Sequence, residues 1–433
     1  MNTDISIFWH RRDLRIHDNA GLLHALQSPH PVQPLFIFDT SILDKLEDKS
    51  DARLTFIYQY IEELKAAYEK HGGSLLVEIG KPKDVFEKLI ENYSIKAVYT
   101  NNDYEPYAIQ RDKAVHDLLH HQSISFHSYK DHVVFEKNEV TKKDETPYTI
   151  YTPYMRAWKV KYTEQQTTAF LSEKRLDRLL KQDPLPLPSL KKIGFTASEI
   201  ALPSQEVSVG LIREYDKTRD YPAVHGTSHL GVHFRFGTVS IRQKMKHAMQ
   251  LNEIFFNELI WREFYQMIIF HFPHSAKDSF KTKYDTIVWQ NDEKLFDKWC
   301  KGETGYPIVD AGMRELNTTG FIHNRVRMVV ASFLSKHLLI DWRWGEAYFA
   351  EKLLDYELAS NVGGWQWAAG CGCDAAPYFR VFNPLLQADR FDPKQIYIKK
   401  WVPEFGTAQY AKPIIEHVFA RNRAIATYKK ALS

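Results

Sequence analysis

The chain has 433 residues, of which 44% are hydrophobic and 26% charged, with a formal net charge of +3 and a sequence pI near 8.4. That length supports two or three domains with cores of their own, and that balance excludes a disordered or fibrous chain. No apolar run approaches the roughly 20 residues of a membrane-spanning helix, so no membrane partner is expected, and the mild basicity permits an anionic partner without specifying one.

Three cysteines, Cys300, Cys371 and Cys373, fit a reducing compartment. The opening MNTDISIFWHRRDLRIHD places charges directly after a short apolar run, unlike a secretory leader. A cytoplasmic protein is expected. The unusual feature is aromatic content: 14% overall with 10 Trp, six of them between Trp289 and Trp367.

In chain order, Ile5–Trp9, Val32–Phe38, Ser74–Ile79 and Ile95–Tyr99 read as buried strands, and residues 51–71, 82–92 and 105–120 carry helical periodicity between them. Strands separated by helix-length segments imply βαβ units, so residues 1–130 are expected to form a doubly wound α/β domain with a parallel sheet. Residues 131–205 are weakly patterned and include Asp183-Pro-Leu-Pro-Leu-Pro188, which suits an interdomain connector. Residues 206–433 read as an all-α domain, with periodic segments at 208–215, 240–271, 306–319, 324–340 and 345–354.

Several constellations carry chemistry. Glu258, Trp261 and Arg262 lie at i, i+3 and i+4, so an acid, an indole and a guanidinium share one helical face, which is also the ordinary outcome of helical pairing. Arg325 and Arg327 open a predicted helix where the dipole favours acids, while Asp355 and Glu357 follow the end of another; a pair between Arg327 and Asp355 reconciles both. Thr227 and Ser228, in a Pro/Gly-punctuated loop, offer hydroxyls able to cradle phosphate or simply to cap a helix. Gly370-Cys-Gly-Cys-Asp-Ala375 matches a relaxed dinucleotide pattern and begins a C-x-C pair. It lacks a preceding strand and a second ligand pair, so no metal site is expected. Gly363 and Gly364, read as part of a Gly-rich turn, let the chain approach a ligand closely.

Six ordered motifs, His10-Arg-Arg-Asp-Leu-Arg-Ile-His-Asp-Asn19, Arg219-Asp-Tyr-Pro-Ala-Val-His-Gly-Thr-Ser228, Asn257-Glu-Leu-Ile-Trp-Arg-Glu-Phe-Tyr265, Thr304-Gly-Tyr-Pro-Ile-Val-Asp-Ala-Gly-Met-Arg314, His323-Asn-Arg-Val-Arg-Met328 and Ala359-Ser-Asn-Val-Gly-Gly-Trp-Gln-Trp367, resemble the photolyase/cryptochrome family over essentially the whole chain. The later motifs are most similar to class I cyclobutane pyrimidine dimer photolyases. The resemblance implies an N-terminal α/β antenna domain and a helical domain that binds FAD without a covalent bond.

Carried over by position, the resemblance implies FAD contacts from Tyr215, Thr227, Ser228, His229, Leu230, Gly231, Arg262, Arg327, Asp355, Glu357 and Asn361. Family members usually have Ser where Gly231 stands, which leaves only a backbone contact there. The resemblance sets Asn361 opposite flavin N5 and assigns catalysis to Glu258 and Asn361. Trp261 and Trp367 match the indoles that stack a damaged base pair, Glu258 the acid beside it, and Asn324 a dimer contact; Arg219, Arg325, Arg380 and Gln387 match positions near the DNA backbone. Trp289, Trp342 and Trp365 match an electron chain from surface to flavin. The implied function is light-driven repair of pyrimidine dimers in ultraviolet-damaged DNA by a monomeric enzyme, with a blue-light receptor of cryptochrome type as the alternative. A (6-4) photoproduct enzyme is disfavoured by the Trp-Gln-Trp-Ala-Ala sequence. Asn101-Asn-Asp-Tyr-Glu105, at the end of a predicted strand, resembles the region contacting a folate or deazaflavin antenna chromophore.

Overall fold

A computed structural model describes residues 3–433. By its internal contacts the chain forms two units: residues 1–139, 161–205 and 230–249 make one, and residues 140–160, 206–229 and 250–433 the other. The segment 131–205, expected to stand apart as a connector, is thus divided between both.

The first unit is built on a five-stranded parallel sheet: β1 (Asp4–His10), β2 (Val32–Asp39), β3 (Leu76–Gly80), β4 (Ser94–Asn101) and β5 (Ser125–Tyr129), in the order 3-2-1-4-5. The central strands β1 and β2 are buried almost throughout, as a sheet covered on both faces requires. The helices Ala52–Glu69, Pro82–Asn92 and Pro106–His121 stand where the periodicity predicts them. The edge strand β5, SFHSY, is polar and largely exposed and so carries no alternation signal. Its pairing with β4 in register forms it.

Behind β1 the connection is locked by a buried network. Asp131 accepts hydrogen bonds from Arg15 at 2.8 and 2.9 Å and from Arg242 at 2.8 Å, and Arg242 also pairs with Asp18 at 2.9 Å. Burial by itself raises the Asp131 pKa, but the two guanidiniums overcome it and hold the carboxyl below its ordinary range.

All five strands lie within residues 4–129, and the second unit is helical. Its core gathers Trp299, Ile308, Val330, Phe333, Trp342, Phe349, Val362 and Trp365. Four sequence expectations are corrected here. The segment 240–271 is not one helix: it breaks at Asn252, whose side chain accepts from the N–H groups of Ile254 and Phe255 at 3.0 and 3.1 Å and starts a new helix, Glu253–His271. The segment 324–340 is an α-helix only over Asn324–Ser332 and continues as a π-turn over Phe333–His337.

Gly363 and Gly364 are not in a turn but inside the helix Leu358–Ala369, and Gly370, at φ +96°, is the left-handed residue that ends it. The Gly-Cys-Gly-Cys stretch is therefore a helix terminus, without the strand-to-helix geometry of a dinucleotide fingerprint. Glu357, finally, precedes this helix as its N-cap, where the dipole favours an acid, rather than closing the previous one.

Close helix crossings explain two glycines. A Cβ on Gly345 would fall 2.1 Å from the Trp365 ring, and one on Gly363 would fall 2.3 Å from the Tyr265 ring. Gly363→Val is expected to lower unfolding free energy by about 1–3 kcal/mol through overpacking, read by denaturant titration. An unchanged midpoint would show that Tyr265 simply swings aside.

Candidate active site

Four helices of the second unit converge on a cavity of about 440 Å³, within the usual size range of ligand pockets. The helix Glu253–His271 supplies Glu258, Trp261, Arg262 and Tyr265; Asn324–Ser332 supplies Asn324, Arg325, Arg327 and Met328; Trp342–Lys352 supplies Phe349; and Leu358–Ala369 supplies Ser360, Asn361, Gly364, Trp365 and Trp367. Arg219, Asp355, Tyr356 and Glu357 reach it from the connecting segments. Of the residues singled out in the sequence, thirteen meet here although they span residues 219 to 367.

The charges are paired across elements. Arg327 donates from Nη2 to both Asp355 oxygens, at 2.8 and 3.0 Å, and from Nε to the Ile322 carbonyl at 2.8 Å. This satisfies the anionic partner demanded by a cation at a helix N-terminus. Arg262 shares the cavity-facing side of its helix with Glu258 and Trp261, as expected, but its ion pair is with Glu357 at 2.9 Å and not with Glu258. Glu258 is held by Arg219. Arg325 bonds Asp220 at 2.7 Å, and its guanidinium lies 4.4 Å from the Phe391 ring centroid. Two basic residues that match DNA-contact positions therefore border the cavity already aligned by carboxylates.

Asn361 is oriented by its neighbours. Its Nδ2 donates to the Glu346 carbonyl at 3.1 Å and to Glu346 Oε1 at 2.9 Å, which leaves its side-chain oxygen as the acceptor available to the cavity. Burial pushes the Glu346 carboxyl pKa up, and the Asn361 hydrogen bond offsets this in part.

Trp365 is 2% exposed and packs edge-on to Phe349 and Trp299, with centroids 5.0 and 6.0 Å away. Its Nε1 lacks a hydrogen-bond partner among the described residues. Trp367, two positions on and half-buried, turns toward Phe382, yet both indoles border the cavity. Gly364 leaves open space where a Cβ would stand. Apolar Met328, Ala331, Phe349 and Leu353, an open glycine face and the Arg327–Asp355 pair form a setting suited to a flat heteroaromatic ring carrying negative charge.

The other expected residues lie elsewhere. Tyr215, Thr227, Ser228 and His229 belong to the second unit, outside the cavity lining, with His229 at φ +52° and its ring 4.1 Å from that of Phe321. Leu230 and Gly231 begin the following segment, counted with the first unit. Trp342 is buried and Trp289 half-buried, both packed in the core that holds Trp365. Arg380 is exposed, and its carbonyl accepts from the buried Lys336 ammonium at 2.8 Å; burial lowers that amine to about 8. Gln387 is half-buried in the helix Pro384–Phe391. In the first unit, Asn101 at the end of β4 is tied to Asp13, Asn19 and Gly21, and Asn102 and Tyr104 donate to Glu136.

Sequence reasoning missed Tyr265, Tyr356, Ser360 and Glu346, which lie outside any charge oddity. It also missed His323, which caps the helix of Arg327 by accepting from the Arg325 N–H at 3.2 Å. Burial lowers the His323 pKa from 6.5 to about 4. Folding therefore favours the neutral ring: its contribution is complete above pH 6.5 and is lost as pH falls toward 4. His323→Asn, which keeps a capping acceptor but cannot titrate, should flatten the stability profile across that window in denaturant titrations. Profiles that stay parallel would count against this role.

The same organisation occurs in known proteins. A model of the FAD binding domain of DNA photolyase matches residues 255–409, the stretch that holds most of the cavity, and a DNA photolyase model matches residues 6–172. The deoxyribodipyrimidine photo-lyase of Synechococcus sp. is 36% identical over 98% of this chain and 96% of its own. The class III photolyase structure from Agrobacterium tumefaciens is similar at TM-score 0.87 and 31% identity, covering 100% of this chain and 98% of that one. The archaeal photolyase of Sulfolobus tokodaii, solved with two FAD molecules, is similar at TM-score 0.82 and 33% identity over 99% and 100% of the two chains. With both halves matched by family models and likeness at this level end to end, the chain belongs to the DNA photolyase family.

Proposed function

We infer that this chain is a deoxyribodipyrimidine photo-lyase: it repairs cyclobutane pyrimidine dimers in DNA, driven by blue or near-ultraviolet light. The observation that carries the reading is one cavity that combines a paired, ring-sized interior with two indoles, a carboxylate and three further polar groups, Arg219, Asn324 and Arg325, on its lining. The flavin ring of FAD fits the interior, and the cofactor, when bound in its fully reduced form, supplies the photoexcited electron that splits the dimer and recovers that electron afterwards. Arg327 holds positive charge beside that position without a proton to give up, since guanidinium stays protonated. Asn361 presents its oxygen toward flavin N5, fixed by Glu346.

Trp261 and Trp367 stack the extruded bases, Glu258 accepts hydrogen bonds from their edges, and Asn324 adds a further polar contact. Extrusion costs less for a crosslinked pair than for an intact one. Arg219, Arg325, Arg380 and Gln387 contact the flanking backbone. Tyr215, Thr227 and Ser228 take the phosphate side of FAD, and His229 is a further contact to the cofactor. Trp289, Trp342 and Trp365 pass electrons inward to reduce oxidised cofactor, which their shared core supports.

A second, antenna chromophore of folate, deazaflavin or flavin type belongs with the α/β unit, a reading supported by the two FAD molecules of the Sulfolobus tokodaii protein. No helix among the described residues is long and apolar enough to cross a membrane, and we place the enzyme in the cytoplasm as a monomer.

The test is direct: mix reduced holoenzyme with an oligonucleotide containing one thymine dimer, illuminate at blue wavelengths, and follow dimer loss by chromatography. Loss only in light is the expected result. Loss in darkness, or none from fully reduced protein, would overturn the assignment, and a light-dependent spectral change without repair would favour a receptor.

A further inference from the structure

Behind the cavity wall, Tyr151 opens the helix Tyr151–Lys161 and is 7% exposed, and it is not itself a lining residue. Its ring lies parallel to the Trp261 ring, with centroids 3.6 Å apart and planes within 9°. The phenol therefore stacks on one face of the indole, and since Trp261 lines the cavity and Tyr151 does not, the opposite face is the one left to receive a base. The phenol hydroxyl donates to the Asn257 carbonyl at 2.7 Å, one residue before Glu258. The Tyr151 backbone N–H donates to Asp374 Oδ2 at 3.1 Å, in the turn that follows the helix carrying Trp367. Phe264 closes the edge of the phenol ring at 5.8 Å. A single residue thus holds the plane of one indole and is bonded to both walls that carry the two indoles.

We propose that Tyr151 is a positioning residue for lesion recognition: it acts through Trp261, fixing the indole's orientation and its separation from the Trp367 wall, so that a dimer is distinguished from ordinary DNA. The physical basis is preorganisation. A stacked aromatic neighbour removes the rotamer freedom that Trp261 would otherwise lose on binding and adds a close dispersion contact over the ring face. The proposal rests on the lesion-stacking role given to Trp261 above.

The test measures equilibrium binding in the dark, by fluorescence anisotropy with a labelled oligonucleotide with and without one thymine dimer, for holoenzymes of equal FAD content. Tyr151→Leu should weaken binding of the dimer-containing strand roughly 3- to 10-fold and leave undamaged DNA unchanged. Tyr151→Phe, which keeps the stacked ring, should restore most of the discrimination. In a Trp261→Phe background, Tyr151→Leu should cost less than half of what it costs in the wild type, because it acts through the indole. If the leucine variant does not fold, Tyr151→Met provides the same comparison with a flexible side chain. A loss equal in both backgrounds, or no loss in either, overturns the proposal. A wild-type enzyme that fails to distinguish the two strands would instead overturn the lesion-stacking reading itself.

Discussion

Arg327→Leu is expected to lose most of its FAD on gel filtration, with affinity on retitration reduced by about 30- to 150-fold. The fold-change corresponds to about 2–3 kcal/mol. The penalty originates at Asp355. In the native cavity it receives two hydrogen bonds from one guanidinium, and both side chains are about a quarter exposed or less, at 26% and 20%. Removing the arginine leaves a carboxylate that has lost its guanidinium partner beside the position proposed for the negatively charged ring. The penalty is thus twofold, a lost attraction and a new repulsion. Partial exposure keeps it below the cost of breaking a fully buried pair.

Arg327→Lys should be intermediate, since an ammonium keeps the charge but not the fork geometry or the Nε bond to Ile322. Adding Asp355→Asn to Arg327→Leu should recover part of the loss by removing the stranded charge. If the double variant binds FAD more weakly than Arg327→Leu alone, Asp355 itself makes a favourable contact with FAD, and the repulsion argued above is overturned.

Trp367→Ala should reduce affinity for dimer-containing DNA by about 10- to 100-fold while leaving undamaged DNA within about twofold, because stacking on one base is worth about 1–3 kcal/mol and phosphate contacts lie elsewhere. Trp367 is half-buried at the cavity lining, so truncation leaves solvent rather than an internal void, and the fold should survive it. Competition anisotropy at two salt concentrations checks both halves of the expectation: the discrimination ratio collapses while the salt slope stays constant. A uniform loss on both kinds of DNA would mean that Trp367 supports the wall and does not meet the lesion.

Much of the architecture is legible in the primary sequence because it rests on local periodicity. The four buried strands and three long helices of the α/β unit follow from short apolar runs alternating with amphipathic ones, and the charge oddity at Arg327 correctly anticipated Asp355, since a cation at a helix N-terminus must find an anion somewhere. The polar edge strand β5 was not legible, because pairing rather than composition makes it a strand. Nor was the break at Asn252, where one side chain's capping bonds outweigh continuous apolar periodicity.

Within the site, residue types and their order pointed to the lining, whereas partnership was a tertiary decision. Helical spacing joins Glu258 to Arg262, yet Arg219 takes Glu258 and Glu357 takes Arg262, because the cavity turns those side chains toward different neighbours. Local composition likewise read Gly363 and Gly364 as a turn, but both lie in a helix, where the crossing needs a hydrogen-sized side chain at Gly363 against Tyr265 while Gly364 borders the open cavity. Sequence alone thus determined the four buried strands and three long helices of the α/β unit, and most of the polar and aromatic residues that line the cavity. Which side chains meet across elements, and that Tyr151 backs Trp261, was decided by packing, which has no signature in one dimension.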